Sequence, residues 1–198
     1  MEKSEQLIEI AKKIKALEES PLYDYRVENN YKPVIGEGDH DADIMFIGEA
    51  PGAQEAKTGR PFVGRAGNLL DSLLDNINLD RDDVYITNIV KDRPPSNRTP
   101  LVGEIKTYAP FLIEQIKIIE PIIIATLGRL AMKYILQTFD HPQQDKKIGE
   151  LHGQILEAKT ENGKIKIIPL YHPAAVFYNR DLEKILEEDF QTLSKFIE

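Results

Sequence analysis

The sequence predicts an α/β protein with a mostly parallel sheet and helices on both faces. Two observations carry this. Short apolar runs at 44–47, 84–87, 122–125 and 164–170 are separated by segments with apolar residues at helical spacing. Strands that alternate with helices pair in parallel. The first run also ends in Gly48-Glu49-Ala50-Pro51-Gly52, a glycine- and proline-rich turn ahead of a helical pattern. Open α/β sheets build ligand sites at such strand ends.

In chain order, 4–19 reads as an amphipathic helix, with Leu7, Ile10, Ala11, Ile14 and Leu17 on one face. Ser20-Pro21 ends it. Residues 22–43 read as irregular, punctuated by Pro33, Gly36 and Gly38. After the strand at 44–47 comes a polar loop and a second turn, Gly59-Arg60-Pro61-Phe62-Val63-Gly64. A helix follows over 68–76. The strand at 84–87 ends at Asn88, and the prolines of Arg93-Pro94-Pro95 force a loop. Helices are expected at 104–119 and 129–138, on either side of the strand at 122–125. Runs at 154–158 and 164–170 flank Asn162-Gly163, a strong hairpin signal. A helix over 182–197 closes the chain. Its last residues look superficially like a sliding-clamp peptide, but the spacing is wrong.

With 198 residues, one domain over 1–198 is expected, long enough for a sizeable core. The chain has no cysteine, which excludes disulfides, zinc–thiolate sites and thiolate-held iron–sulfur clusters. Four histidines leave little for a metal site, so none is expected. No apolar run approaches the roughly 20 residues of a membrane span, and the charged N-terminus has no signal-peptide core. A cytoplasmic, soluble, monomeric protein is expected. A net charge of −8 argues mildly against non-specific nucleic-acid binding.

Four strand ends would carry Glu49, Asn88, Leu127-Gly128 and His172. Glu49, Glu55 and the ring of Phe62 share the first loop region, which reads as the floor of a site for a flat, polar ligand. No Walker or dinucleotide phosphate loop is present.

These segments together resemble the uracil-DNA glycosylase superfamily, most closely its family 4. The resemblance rests on Gly48-Glu49-Ala50-Pro51-Gly52 with Glu55, and on 57–64 with Ala66-Gly67. It continues through 85–91, Arg93-Pro94-Pro95 with Asn97-Arg98, and His172-Pro173. It implies a three-layer α/β/α sandwich with a four-stranded, mostly parallel central sheet. It also implies a monofunctional enzyme of base-excision repair that hydrolyses the N-glycosidic bond of uracil in single- or double-stranded DNA. A relative with shifted preference, for hypoxanthine or xanthine, and a catalytically weak DNA-binding relative stay open.

The resemblance assigns roles residue by residue. Phe62 stacks on the flipped base. Asn88 donates to O4 and accepts from N3–H, a pattern cytosine cannot meet. His172 donates to the developing uracil anion near O2. Glu49 positions water or balances sugar charge. Glu55 contacts the base or orders the loop, and the backbone at Gly48 and Ala50 approaches the base. Lys57, Arg60, Arg65, Lys91, Arg93 and Arg98 form a basic rim for phosphates. Val176, Phe177 or Tyr178 enters the minor groove.

Two departures stand out. Family 4 enzymes hold a four-iron cluster through four cysteines, and the aligned positions here carry Leu17, Ser20, Asp92 and Tyr108. The cluster is therefore expected to be absent. Packing of Leu17 and Tyr108, with Asp92 paired to a cation, would replace it. Ala56 stands where the family often has Asp.

Overall fold

The computed structural model describes residues 2–160 and 163–196. Its sheet has six strands: β1 (Glu37–Gly38), β2 (Ile44–Gly48), β3 (Tyr85–Asn88), β4 (Ile123–Leu127), β5 (Leu156–Thr160) and β6 (Gly163–Leu170). Their order is β1-β3-β2-β4-β6-β5. The four inner strands, β3-β2-β4-β6, are parallel throughout. The expected four-stranded parallel core is therefore present, and two antiparallel edge strands extend it. Asn162 of the expected hairpin turn, and Ile197 at the end of the expected closing helix, lie outside the described residues.

The alternation of β2 explains the layers. Met45 and Ile47 point to one face, and Ile44 and Phe46 to the other. The first face is covered by α1 (Lys3–Lys15), α5 (Val102–Ile119) and α6 (Arg129–Thr138), through Leu7, Ile10, Ile14, Tyr108, Leu112 and Ile135. The second is covered by α4 (Arg65–Asp75) and α8 (Asp181–Phe190), through Leu70, Leu73, Leu74, Leu186 and Phe190. Every residue of β2, β3 and β4 is buried, as expected for strands covered on both sides.

The structure differs from expectation in its short elements. Residues 22–43 contain α2 (Tyr23–Glu28) and β1. The polar stretch after β2 is α3 (Ala53–Thr58), and α7 (Ile148–Leu151) precedes the hairpin. The first helix ends at Lys15 rather than Glu19, and the closing helix ends at Phe190 and gives way to a 3-10 turn at Leu193–Phe196. Among the described residues no helix is long and apolar enough to cross a membrane.

Candidate active site

A cleft of about 400 Å³ opens above the carboxyl ends of the parallel strands. The loop after β2 and the start of α3 give it Glu49, Ala50 and Glu55. The turn before α4 gives Phe62, the end of β3 gives Asn88, and the chain after β6 gives His172 and Tyr178. Pro94, Asn97 and Arg98, from the proline loop after β3, form another wall. The groups drawn from three strand ends in the sequence thus share one cavity.

Asn88 is 2 % exposed, and its Oδ1 has no hydrogen-bond partner. A buried acceptor left unpaired costs roughly 1–3 kcal/mol, so this one is poised for a donor from a ligand. Gly48, expected to approach the base, does not line the cleft. It sits behind it: a Cβ there would lie 2.4 Å from Asn88 Oδ1 and 2.7 Å from Phe62 Cζ. Its missing side chain is what lets these two residues come together. Leu127-Gly128 likewise stays out of the lining. Gly128, at φ +95°, passes close to the His172 side chain.

Phe62 adopts a left-handed backbone, φ 48°, which costs energy for a residue with a bulky side chain. Arg81, which the sequence reading missed, holds it there. Its guanidinium donates to the carbonyls of Pro61 and Phe62 and pairs with Asp71 and Glu37. Gly67 lets α4 pack directly on the Phe62 carbonyl. The Phe62 ring lies against the His172 ring, centroids 5.7 Å apart at an interplanar angle of 29°.

His172 caps the 3-10 turn Pro173–Phe177. Its Nδ1 accepts the Ala174 N–H at 3.1 Å. The proton of the neutral ring therefore sits on Nε2, which is free to donate. Burial pushes its pKa down to about 4, against a smaller upward pull from Glu55. The imidazole is neutral at physiological pH.

Glu55 orders the loop: its Oε1 accepts the N–H groups of Val63 (2.9 Å) and Gly64 (2.8 Å). Glu49 is half-buried. Burial raises its pKa, offset in part by a hydrogen bond from Thr99 and the charge of Arg129. Neither residue was anticipated as a neighbour, because each comes from a different loop. Ala56 is fully buried and outside the cleft lining, so that departure does not alter the cavity wall.

The basic rim needs correction. Lys91 is completely buried, its Nζ donating to Thr87 Oγ1, the Asn88 carbonyl and Gln115 Oε1. It cannot reach a phosphate. Arg60 is paired with Glu37, and Arg98, on the cleft wall, with Glu104. Arg93 donates to Tyr31 Oη and Asn97 Oδ1. Lys57 and Arg65 are exposed. Val176 is also corrected: it is buried in the core under α4 and α8 and cannot enter a groove. Phe177 is half-covered by the Arg65 guanidinium, 4.3 Å from its ring centroid. Tyr178 is 93 % exposed at the rim of the cleft.

The four positions aligned with cluster cysteines do gather, but they do not fit a cluster. None offers a thiolate, and their polar atoms already bond each other. Tyr108 Oη bonds Ser20 Oγ at 2.6 Å and donates to Asp92 Oδ2, while Arg26 donates to both Asp92 oxygens at 3.0 and 3.3 Å. Arg26 also donates to the carbonyls of Ile14 and Lys15 at the end of α1. Leu17 packs against the adjoining core. The cation expected beside Asp92 is Arg26. Among the described residues no group of three or more His, Asp or Glu is placed to hold a metal ion.

The family model for the uracil DNA glycosylase superfamily matches residues 35–194. A type-4 uracil-DNA glycosylase of Sulfurisphaera tokodaii is 49% identical over 161 residues, 81% of this chain and 72% of that protein. One from Archaeoglobus fulgidus is 39% identical over 191 residues, covering 96% and 93%. One from Thermotoga maritima is 40% identical over 196 residues, covering 98% and 96%.

Proposed function

This chain belongs to the uracil DNA glycosylase superfamily, and from that premise we infer how its cleft acts. The protein is a uracil-DNA glycosylase, a hydrolase of N-glycosyl bonds that removes uracil from DNA in base-excision repair. The flipped uracil enters the cleft and lies on the Phe62 ring. Asn88 reads it, Nδ2 donating to O4 and Oδ1 accepting from N3–H. The observation that carries this is the buried, partnerless Oδ1 of Asn88.

As the C1′–N1 bond breaks, its electron pair passes to the base, and the sugar becomes oxocarbenium-like. The Nε2–H of neutral His172 donates to O2 of the anion. Support for this comes from the Ala174 N–H on Nδ1, which leaves the proton on Nε2. Glu49 orients the water that adds to C1′ and accepts its proton, a task favoured by its raised pKa. Free uracil and an abasic site are the products, with no strand cleavage, since among the described residues no lysine lines the cleft. Tyr178 is the side chain that fills the gap in the minor groove, on the strength of its exposure at the rim. Lys57, Arg65 and Arg93 face the backbone of single- or double-stranded DNA.

The protein works as a cytoplasmic monomer without a cofactor. Iron analysis checks the last point: stoichiometric iron would contradict it. A panel of oligonucleotides, each with one altered base, tests the substrate. Release of uracil is expected; release of hypoxanthine or xanthine without uracil would move the assignment to those bases. Tight binding of uracil DNA with no release would mean a binding relative.

A further inference from the structure

Lys91 is a fully buried lysine that bonds the main chain of Asn88, a residue of the cleft wall. Its Nζ makes hydrogen bonds at 2.7 Å to Thr87 Oγ1 and 2.7 Å to the Asn88 carbonyl, and a third to Gln115 Oε1. In this arrangement all three partners accept. The Thr87 hydroxyl already gives its proton to the Ile35 carbonyl. The Asn88 carbonyl has no proton. The Gln115 amide nitrogen is committed to the Ile35 carbonyl and Tyr85 Oη, which fixes its oxygen toward Lys91. Three acceptors require three protons, and only the charged –NH3+ form supplies them. Burial pushes the Lys91 pKa well below the usual lysine value, and the three acceptors hold the proton against that pull. Among the described residues Lys91 makes no salt bridge: Asp92, its chain neighbour, is turned to Arg26 and Tyr108.

An unpaired buried charge costs several kcal/mol, and an apolar side chain of the same length would avoid that cost. The charge is spent where it acts on Asn88. It bonds the main-chain carbonyl of the residue whose amide lines the cleft, and it ties the end of β3 to α5. Base release creates negative charge on the other side of that residue. A fixed positive charge that water cannot screen favours the anionic state over the neutral bound base.

We propose that Lys91 is a positioning residue for base release, whose buried charge, acting through Asn88, favours departure of an anionic base. The proposal rests on the assignment of the cleft to uracil excision. Single-turnover release and binding of DNA carrying a non-hydrolysable abasic analogue are measured together, on wild type, Lys91→Met and Gln115→Glu. Failure of the wild type to release uracil refutes the activity itself and is distinct from any result on Lys91. Lys91→Met is expected to slow release by about tenfold or more, an indirect share of the ~10²–10³ lost with a direct anion donor. Its DNA affinity is expected to stay within about threefold of wild type.

Gln115→Glu keeps an oxygen on Lys91 and sets a carboxylate beside it, cancelling the charge; because it gives up the Nε2 bond to the Ile35 carbonyl, a melting curve is recorded beside the rate. This variant too is expected to slow release without weakening DNA binding. A lysine that serves only as a strut predicts undiminished release in this variant, and that result overturns the proposal. So does equal loss of rate and affinity in Lys91→Met. If Lys91→Met has no cooperative melting transition, Gln115→Glu decides alone.

Discussion

Replacing Asn88 by Asp should erode discrimination between uracil and cytosine, and the structure sets the scale. Asn88 offers one acceptor, its partnerless Oδ1, and one donor group, Nδ2, at a position 2 % exposed. Uracil satisfies both. Cytosine brings an acceptor at N3 against Oδ1 and a donor at its exocyclic amine against Nδ2. Two unpaired buried contacts at about 1–3 kcal/mol each give about 2–6 kcal/mol of discrimination. At about 1.4 kcal/mol per factor of ten, that is roughly 30-fold to 10⁴-fold. Asn88→Asp turns the donor into an acceptor. The cytosine amine gains a partner, and uracil O4 meets a second oxygen. Uracil release should slow by about 10–100-fold, and the uracil-to-cytosine ratio should fall by about tenfold or more. The assay is single-turnover base release from two otherwise identical duplexes, one with uracil and one with cytosine opposite guanine, read as alkali-labile strands. An unchanged ratio would remove Asn88 from base reading, whatever happened to the absolute rates.

Three further outcomes are expected. Gly48→Ala should fold yet release uracil about 10–100-fold more slowly, because its Cβ would lie 2.4 Å from Asn88 Oδ1 and 2.7 Å from Phe62 Cζ, and overpacking costs about 1–3 kcal/mol; steady-state and single-turnover rates beside a melting curve check this. Arg26→Met strands the Asp92 carboxylate in the interior and should cost about 3–5 kcal/mol, seen as a melting temperature lower by about 10 °C with little change in the rate of the remaining folded enzyme. His172→Ala should slow release more than it weakens DNA binding. In the wild type, the His172 pKa of about 4 lies below its unfolded value near 6.5, so the unfolded chain binds the extra proton as pH falls through that window. The share of stability from neutral His172 is thus present above about 6.5 and is lost toward about 4, and its protonation should put no inflection in the release rate between about pH 5.5 and 8.

The sequence made the inner sheet and the meeting of Glu49, Phe62, Asn88 and His172 in one cleft legible for physical reasons. The strands β2 and β4 fall on the apolar runs 44–47 and 122–125, and α6 is bracketed by Gly128 and the end of a helical apolar face, so local pattern and tertiary burial agree. The short elements were hidden because long-range contacts make them. The helix α3 has only six residues between Gly52 and the left-handed Gly59, and β1 has two residues held by pairing with β3. Lys91 and Val176 were misread for the same reason. A lysine beside site loops looks like a phosphate contact until Gln115, 24 residues away, is seen to accept from it. Val176 shares its stretch with Phe177 and Tyr178, and only the fold turns it inward. The replacement of the cluster positions was readable in part. The loss of cysteine was evident, but the identity of Arg26 as the partner of Asp92 depended on where α2 packs.

The most direct test of uracil reading in this cleft is a crystal structure of the protein with free uracil. The base should lie face-on to Phe62, with Asn88 Nδ2 and Oδ1 within about 3.2 Å of O4 and N3, and His172 Nε2 at O2. Uracil bound elsewhere, or in the cleft with Asn88 still unpaired, would contradict the account.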